Sequence, residues 1–317
     1  MARLDLSVRA VSEVASGIRL YELADPAGAP LPEFAAGAHI DVEIPGGFLR
    51  QYSLCGDPRD RSQYHIAVLR EAAGSGGSAA LHDGVKPGDR LAVSPPRNNF
   101  PIAAGAARHL LLAGGIGVTP MMAMVEQLRH DGADFVLHYC TRSPERTAFR
   151  DRLQGFGERI VYHHDQGDPR QGLDIAGLLA RHEPGTHLYY CGPAPFMAAV
   201  KGAAAHWPAE TVHFEYFAPP ADARNAKAAA SGGFTIRLAR SGRELEVPPD
   251  RSIVDVLRAA GIEVETSCEI GTCGTCKTRY LAGTPQHNDY ILTAKDQQEW
   301  VMLCCARAES DVLVLDI

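Results

Sequence analysis

The segment Ser267–Lys277, SCEIGTCGTCK, places Cys268, Cys273 and Cys276 in a C-x4-C-x2-C pattern. Cys304 follows 28 residues after Cys276. This spacing is typical of the plant-type arrangement in which four thiolates hold a [2Fe–2S] cluster. The residues between the cysteines are small, so backbone N–H groups can approach the sulfur atoms: Gly271, Thr272, Gly274 and Thr275.

Two other uses of these cysteines fit the sequence less well. A structural zinc site usually brings two separated Cys-x2-Cys or Cys/His pairs, and this segment has one such pair. A disulfide core needs an oxidising compartment. The N-terminal sequence MARLDLSVRA lacks the apolar stretch of a signal peptide. We therefore predict an iron–sulfur site.

Cys304 and Cys305 compete for the fourth ligand position. Adjacent residues on an extended segment point to opposite sides, so one of them would face the cluster. Met302-Leu303-Cys304 is similar to the ferredoxin pattern around the fourth ligand. We predict that Cys304 is the ligand and that Cys305 is a small buried apolar residue.

The overall composition narrows the class of protein. A chain of 317 residues predicts two or three domains, and 45% hydrophobic with 22% charged residues is usual for soluble globular proteins. A net charge of −7 and a pI near 6.0 argue against nucleic acid as a partner. No apolar run approaches the length of a membrane span. We expect a cytoplasmic protein that neither enters membranes nor binds nucleic acid.

The first hundred residues contain short segments in which apolar and polar residues alternate, as in Leu4–Arg9 and His39–Ile44. Many short strands at close spacing predict a small antiparallel barrel. Arg50-Gln51-Tyr52-Ser53 puts a cation, an aromatic ring and a hydroxyl on one strand. The loop Gly74–Ser78, before a helix predicted from Ala79, could hold a phosphate on free N–H groups. A half-buried strand and a flexible hairpin loop are the alternatives.

From His109 the pattern changes to buried strands that alternate with helical stretches, which predicts a doubly wound α/β domain. Strands are expected at 109–113, 135–140, 160–164 and 188–191, with a helix at 121–129. In the loop Gly114–Pro120, Gly115 and Gly117 would allow a tight turn and the approach of a pyrophosphate. Thr119 is predicted to cap the helix and Pro120 to suit its first turn.

A second segment strengthens this prediction. Cys191-Gly192-Pro193 lies at the end of the last buried strand, and ligands of such sheets bind at the carboxyl ends of strands. A buried structural thiol is the alternative for Cys191. Ala218–Gly233 has no large apolar residue and predicts a tether. A hairpin, a helix that begins after Ser252, the cysteine loop and a last strand at 312–315 then predict a β-grasp ferredoxin fold.

The whole chain resembles the phthalate dioxygenase reductase and vanillate O-demethylase reductase family, which is part of the ferredoxin–NADP reductase superfamily and carries a C-terminal plant-type [2Fe–2S] domain. The resemblance implies four segments: an FMN-binding barrel at 1–105, an NAD-binding domain at 106–217, a linker at 218–233 and a ferredoxin domain at 234–317. The stretches that carry it include RQYSLC, PPRNNFP, AGGIGVTPM, HHDQGDP, YCGP, VHFE, SCEIGTCGTCKT and LVLDI.

The resemblance also implies cofactors and their sites. FMN is expected rather than FAD because a longer adenosine-binding insert is absent, and NADH is expected rather than NADPH. The implied flavin contacts are Arg50, Gln51, Tyr52, Ser53, the backbone of Ala67 and Val68, the phosphate loop Gly76, Gly77 and Ser78, and Phe217 or Tyr216. The implied nucleotide contacts are Gly115, Gly117, Thr119, Thr141, Arg142, Asp165, Cys191, Gly192 and Pro193.

These parts predict an electron-transfer reductase. NADH delivers two electrons as a hydride, a cluster accepts one at a time, and a flavin can mediate between them. The resemblance implies that the protein passes these electrons to a separate Rieske-type aromatic-ring oxygenase. A stand-alone NADH oxidoreductase would not need the ferredoxin domain, an iron–sulfur sensor would not need the flavin motifs, and reductases of diiron monooxygenases usually carry the ferredoxin domain first. No catalytic acid or base is predicted, and His163 and His164 are expected to be structural.

Overall fold

The computed structural model describes residues 3–71, 74, 76–217, 232–266 and 268–317. The chain forms two compact units, Met1–Phe217 and Ala218–Ile317. The predicted linker, 218–233, falls almost entirely outside the described residues. The predicted boundary between residues 105 and 106 lies inside the first unit and stays a prediction.

The N-terminal part of the first unit is an antiparallel sheet with the strand order β4-β3-β6-β1-β2-β5, and β7 pairs with β3. A bridge between Leu54 and Ile66 joins the end of β4 to β5 and closes the sheet into a barrel. Helix α1 (Gly77–Gly84) lies between β5 and β6, and it begins two residues earlier than predicted. The strands are β1 Leu4–Ala15, β2 Ile18–Ala24, β3 Ala38–Ile44, β4 Phe48–Ser53, β5 Tyr64–Leu69, β6 Arg90–Val93 and β7 Arg97–Asn98.

The rest of the first unit is a five-stranded parallel sheet in the order β10-β9-β8-β11-β12. The predicted doubly wound α/β architecture is confirmed. The strands are β8 Arg108–Gly114, β9 Phe135–Thr141, β10 Ile160–His164, β11 Thr186–Cys191 and β12 Val212–Glu215. The helices are α2 Val118–His130, α3 Arg150–Leu153, α4 Ile175–Leu179 and α5 Ala194–Ala203.

Helix α2 joins the barrel to the parallel sheet. Its methionines Met121, Met122 and Met124 are fully buried in one core that also contains Ile18 and Leu20 of the barrel and residues of the parallel sheet. The Gln127 side chain accepts a hydrogen bond from the backbone N–H of Ala36 in the barrel, at 3.1 Å. Flexible methionine side chains fill irregular space between unlike surfaces. The barrel and the sheet therefore share one continuous core.

The predicted start of α2 is wrong by three residues, and the capping role predicted for Thr119 is wrong with it. The helix begins at Val118, directly after a 3-10 turn at Gly115–Gly117. Thr119 lies inside the first turn, where its hydroxyl donates to the carbonyl of Ile116 at 3.0 Å. The N-cap position is occupied by Gly117, two residues before Thr119, and no side-chain hydrogen bond from a described residue caps the helix there.

The second unit has a five-stranded sheet in the order β14-β13-β19-β15-β17 and a small sheet of β16 and β18. Strands β13 and β14 form the predicted hairpin, and β13 pairs in parallel with β19, as in a β-grasp fold. Ser252 and Asp255 form a reciprocal capping box at the start of α6 (Ile253–Ala259). The strands are β13 Phe234–Leu238, β14 Glu244–Val247, β15 Lys277–Ala282, β16 Pro285–Gln286, β17 Trp300–Met302, β18 Arg307–Ala308 and β19 Val312–Leu315.

Among the residues that the structure describes, no helix combines the length and the apolar character needed to cross a membrane.

Two histidine pairs connect neighbouring strands of the parallel sheet. His138 Nδ1 lies 3.0 Å from His163 Nε2, and His187 Nδ1 lies 2.9 Å from His213 Nε2. The rings of each pair are stacked with their centroids 5.2 Å apart. Burial, together with the neighbouring imidazole, lowers the pKa of His138 and of His213 to about 4. The structural role predicted for His163 agrees with this arrangement.

These pairs predict that the first unit loses stability in acid. A histidine whose pKa falls from 6.5 to about 4 on folding contributes stability above pH 6.5, and that contribution is lost as the pH falls towards 4. We expect a loss of about 1–2 kcal/mol for each pair, below the full electrostatic value because the rings are partly solvated. The measurement is urea unfolding at several pH values, followed by Trp207 fluorescence in a Trp300→Phe background. A His138→Gln/His213→Gln variant with the same acid dependence as its parent would contradict this explanation.

Candidate cofactor sites

An anion cradle forms where β4 meets the start of α1. A side chain at Gly77 would place its Cβ only 2.8 Å from Arg50 Nε, so this glycine lets the guanidinium lie against the helix N-terminus. Gly76 has a φ of +91°, which favours glycine, and no side chain caps this end of the helix among the described residues. The Arg50 guanidinium also lies 5.3 Å from the centroid of the Phe48 ring. A cation beside the N–H groups of a helix N-terminus suits the phosphate of a flavin.

The other predicted flavin residues lie on β4 and β5. Tyr52 is half-buried, and burial raises the pKa of its phenol, which therefore stays neutral. Gln51 uses its side-chain amide to donate to Asp41 Oδ1 at 3.1 Å. Ala67 belongs to the core shared with α2, whereas Val68 belongs to the barrel core, so their side chains face opposite ways. Only their backbone could line a ring that crosses both residues.

Ser78 connects the start of α1 to the segment that follows β5. Its hydroxyl oxygen accepts a hydrogen bond from the backbone N–H of Glu71 at 3.0 Å, which ties the start of α1 to the end of β5. The hydroxyl keeps its own proton, so this contact leaves it able to donate to an anion.

A buried carboxylate meets the predicted flavin serine, and sequence reasoning missed it. The Ser53 hydroxyl donates to Glu215 Oε2 at 3.2 Å, and His39 Nδ1 lies 3.9 Å from Glu215 Oε1. The Glu215 side chain is only 12% exposed. Burial raises its pKa from 4.5 to about 7, and the Ser53 hydrogen bond opposes part of that rise. The available signal was an acid at the carboxyl end of a parallel strand, where ligands bind.

The glycine loop and the Cys191-Gly192-Pro193 segment pack against each other at the carboxyl edge of the parallel sheet. A Cβ at Gly117 would lie 2.2 Å from the carbonyl oxygen of Cys191, and a Cβ at Gly192 would lie 3.0 Å from the Cα of Gly114. Gly117 is thus needed for this backbone contact, which differs from the pyrophosphate approach predicted for it. Gly115, with a φ of +54°, has open space in front of it.

The residues predicted near the adenosine half of the nucleotide divide into two kinds. The Thr141 hydroxyl is used inside the protein, 2.7 Å from Thr147 Oγ1 and 3.0 Å from His164 Nδ1. Arg142 is exposed at the end of β9, and its carbonyl accepts from the N–H of Gln166. Asp165 Oδ1 accepts from the N–H of Gly167 at 2.8 Å. Arg142 and Asp165 therefore lie side by side at the ligand-binding edge.

Cys191 and the two aromatic residues after β12, Tyr216 and Phe217, differ in their exposure to solvent. Cys191 is fully buried, and burial raises the pKa of its thiol well above the usual value, so the thiol is neutral. Of the two aromatic residues predicted to reach the flavin, Tyr216 is buried and packs its ring edge-to-face 5.3 Å from Phe214. Phe217 is 43% exposed and is the one with surface available to a ligand.

In the second unit, the four predicted ligand cysteines come together. Cys273, Cys276 and Cys304 are buried, and Cys268 is half-buried. The four thiols are close enough to act on one another: Cys273 and Cys304 lower the pKa of Cys268, and Cys304 lowers the pKa of Cys276. Two cysteine pairs side by side are the donor set that two adjacent iron ions require.

The backbone of the cysteine loop points hydrogen-bond donors at these sulfur atoms. The N–H groups of Ile270 and Thr272 lie 3.5 and 3.4 Å from Cys268 Sγ, and that of Thr275 lies 3.5 Å from Cys273 Sγ. Hydrogen bonds from Cys273 and Cys304 hold the pKa of Cys268 far below its usual range. Thiolates surrounded by N–H donors fit a [2Fe–2S] cluster.

The extended segment that was expected at Cys304 and Cys305 is absent from the structure described here, so that prediction of the local structure is wrong. Residues 303–305 form a turn and not an extended segment. The N–H groups of Cys305 and Ala306 both donate to the carbonyl of Met302, at 3.1 and 2.9 Å. Neighbouring side chains of a turn need not point apart, and the Cys305 sulfur lies against Gly271 of the cysteine loop, 2.7 Å from where a Cβ at that glycine would be. Cys305 is half-buried rather than buried as predicted.

A barrel with a phosphate cradle, a parallel sheet with a glycine loop and a β-grasp unit with four clustered cysteines define an iron–sulfur flavoprotein oxidoreductase. Two family profiles match the chain: "2Fe-2S iron-sulfur cluster binding domain" at residues 236–309 and "Oxidoreductase NAD-binding domain" at residues 111–202.

Similar proteins span the full chain. The tert-butanol monooxygenase / tert-amyl alcohol desaturase reductase subunit of Aquincola tertiaricarbonis is 49% identical over 99% of this chain and 96% of its own length. The vanillate O-demethylase oxidoreductase of Pseudomonas putida is 44% identical over 99% of this chain and 100% of its own length. The solved structure of phthalate dioxygenase reductase is 44% identical, with a TM-score of 0.73, over 100% of this chain and 98% of that chain.

The chain belongs to the phthalate dioxygenase reductase and vanillate O-demethylase reductase family. The expected multidomain fold, the NADH-dependent oxidoreductase class and the cofactor set of FMN, NADH and a [2Fe–2S] cluster are thereby confirmed.

The contact between Gly117 and Cys191 predicts the effect of one methyl group. Gly117 has φ −61° and ψ −5°, which alanine adopts freely, so the cost of Gly117→Ala is the clash with the peptide group between Cys191 and Gly192. We expect the free energy of unfolding to fall by about 1–3 kcal/mol. We also expect flavin reduction by NADH to need about tenfold more NADH, because the edge that binds the nucleotide is displaced.

The matched control is Gly202→Ala in α5, where an added Cβ meets nothing within 4 Å. That variant should keep its NADH dependence and gain up to about 1 kcal/mol of stability from better helix propensity. Urea unfolding and stopped-flow flavin reduction measure the two effects. Equal behaviour of the two variants would show that the Gly117 contact is unimportant.

Proposed function

We propose that this chain is the reductase component of an oxygenase system, in which it carries electrons from NADH to a separate oxygenase. The observation that carries the proposal is the presence of three cofactor sites in one chain. A flavin held by the barrel would supply the chemistry that links the two-electron donor NADH to a cluster that takes one electron at a time. A stand-alone flavin reductase would have no use for the cysteine site.

As part of this proposal, we assign the residues that bind the cluster, the flavin and the nucleotide. The cluster ligands are Cys268, Cys273, Cys276 and Cys304. The flavin is held by Arg50, Gln51, Tyr52, Ser53, the backbone of Ala67 and Val68, Gly76, Gly77, Ser78 and Phe217. The nucleotide is held by Gly115, Gly117, Thr119, Thr141, Arg142, Asp165, Cys191, Gly192 and Pro193.

Among these residues, Arg50 and the N-terminus of α1 neutralise the flavin phosphate. Ser53 presents its hydroxyl beside the flavin, and Glu215 sets the direction of that hydroxyl through the 3.2 Å hydrogen bond. The nicotinamide contacts the closely packed segment of Cys191 and Gly192, where the Cys191 thiol is neutral. The half-buried Cys268 is the ligand nearest to solvent, so electrons would leave the cluster on its side.

The partner is, in this proposal, an oxygenase of the Rieske type, as the family resemblance implies. Relatives named as reductases of a vanillate O-demethylase and of phthalate dioxygenase support an oxygenase partner. The relative named as the beta subunit of a haem-dependent oxidative N-demethylase, 40% identical over 99% of this chain, makes a haem enzyme the second candidate partner. Anaerobic reduction of a candidate oxygenase by NADH and catalytic amounts of this chain, followed by the absorbance of the Rieske centre, tests the assignment. Reduction of a haem or diiron oxygenase in place of a Rieske protein would refute it.

The division of the chain into two units predicts the behaviour of a truncated form. A protein ending at Phe217 retains the barrel, the parallel sheet and their shared core. It should therefore fold and oxidise NADH with ferricyanide at a rate within about twofold of the full chain, because hydride transfer needs only the first unit. It should lose nearly all activity with cytochrome c and with the oxygenase. Full activity with the oxygenase would support the stand-alone flavin reductase.

The Ser53–Glu215 contact predicts a pH dependence. Below pH 7 the protonated carboxyl can donate to Ser53 Oγ, which frees the serine proton to point elsewhere, whereas above pH 7 the serine donates to the carboxylate. Flavin reduction by NADH should therefore change about fivefold around pH 7, the value of one hydrogen bond. Glu215→Gln should remove this transition, while Glu210→Gln on the exposed turn before β12 should keep it. Stopped-flow rates between pH 5.5 and 8.5 measure the difference.

The same carboxyl affects stability in the opposite direction to the histidine pairs. A pKa raised from 4.5 to about 7 on folding means that the protonated group stabilises the fold below pH 4.5. That contribution is lost as the pH rises to about 7. Glu215→Gln should therefore be more stable than the parent at pH 8 relative to pH 5.

A further inference from the structure

A buried carboxyl group, that of Asp289, lies beside the cysteine loop of the second unit. Its side chain is only 1% exposed. A Cβ at Gly271 of the cysteine loop would lie 3.1 Å from the Cα of Asp289 and 3.3 Å from its Cβ. The N–H of Tyr290 donates to the Gly271 carbonyl at 3.0 Å, which joins the two segments at this point. Asp289 therefore packs directly on the loop that carries three of the assigned ligands.

The part of the loop that Asp289 contacts surrounds one ligand sulfur. Gly271 lies between Ile270 and Thr272, whose N–H groups lie 3.5 and 3.4 Å from Cys268 Sγ. Gly271 has a φ of +80°, which favours glycine, so this position has no side chain. Nothing larger than hydrogen on Gly271 therefore separates Asp289 from the backbone that surrounds Cys268.

The two carboxylate oxygens of Asp289 differ in their partners. Oδ1 accepts hydrogen bonds from the N–H groups of Ile291 at 3.1 Å and of Leu292 at 2.7 Å. Oδ2 is buried, and no residue in the described part of the chain donates a hydrogen bond to it. It lies 3.7 Å from His287 Nδ1, which is longer than a hydrogen bond. Hydrogen-bond donors therefore compensate the negative charge of this carboxylate on one oxygen only.

We propose that the buried charge of Asp289 lowers the reduction potential of the cluster and so makes the reduced cluster a stronger electron donor. The inference rests on the cluster site of the proposed function. The step adds one electron, which NADH supplies through the flavin, and no bond forms or breaks at Asp289. A nearby negative charge disfavours the addition of that electron, and solvent screens a buried charge less than an exposed one. Local charge is among the properties that set the potential of an iron–sulfur cluster.

The test compares variants of the full chain with bound cofactors. Asp289→Asn removes the charge with almost no change of shape, and the amide oxygen can still accept from the N–H groups of Ile291 and Leu292. Asp311→Asn is the matched control, because it makes the same change of charge at an exposed position in the same unit. The cluster potential is measured by anaerobic potentiometric titration with detection of the reduced cluster by electron paramagnetic resonance. The flavin potential in the same titration checks that the first unit is unchanged.

We expect a more positive cluster potential in Asp289→Asn, with the iron content and the g values of the unmodified chain. At a fixed solution potential the ratio of reduced to oxidised cluster should rise about tenfold, which is about 59 mV for a one-electron couple. Asp311→Asn should keep the potential of the unmodified chain. An unchanged potential in Asp289→Asn would overturn the proposal. Equal shifts in the two variants would also overturn it, because they would indicate an effect of net charge and not of the buried carboxylate.

Iron content separates this inference from the assignments on which it rests. Asp289→Ser also removes the charge and keeps an acceptor oxygen, so it replaces the asparagine variant if that variant does not retain the cluster. Loss of iron from both variants would show that Asp289 only maintains the shape of the loop and would overturn the proposal. Cys304→Ser should lose the cluster and still show flavin reduction by NADH. Failure of the chain to reduce an oxygenase, together with the expected potential shift, would count against the proposed partner alone.

Discussion

The first unit depends on the backbone contact between Gly117 and Cys191. No side chain larger than hydrogen fits at Gly117, where a Cβ would lie 2.2 Å from the Cys191 carbonyl oxygen. The contact joins the loop after β8 to the end of β11, directly before α2 begins. Helix α2 then buries its methionines between the sheet and the barrel. Because that core is continuous, the flavin side and the nucleotide side form one packed body, as a hydride transfer between bound groups requires.

Both redox sites are surrounded by donors that suit the charge they hold. The Arg50 guanidinium lies against the start of α1, an arrangement that suits an anion, and the N–H groups of Ile270, Thr272 and Thr275 point at cysteine sulfur atoms. The Glu215 carboxyl, between the barrel and the sheet, lies in surroundings that disfavour its charge. Burial raises its pKa to about 7. A group poised near neutral pH beside Ser53 suits a site where charge changes during turnover.

Local spacing and periodicity predicted most of the fold. The three architectures, most strand positions and the hairpin, helix and cysteine loop of the second unit follow from patterns a few residues long. The errors arose where a neighbouring segment changed a local preference. Thr119 is not a cap because a 3-10 turn runs directly into α2, and the extended segment expected at Cys304 and Cys305 is a turn over residues 303–305. The buried Glu215 was missed because its partner Ser53 lies 162 positions away.

The sequence by itself determined which chemistry this protein can hold. The cysteine spacing and the glycine loop are short-range features, because the ligand atoms of one loop must surround one compact group. Only the tertiary structure decided how these residues act. It buried Glu215 against Ser53, it made Gly117 a packing residue as well as a loop residue, and it placed the Cys305 thiol against Gly271. Burial and hydrogen bonding depend on which distant segments meet, and a linear pattern contains no information on that until the chain has folded.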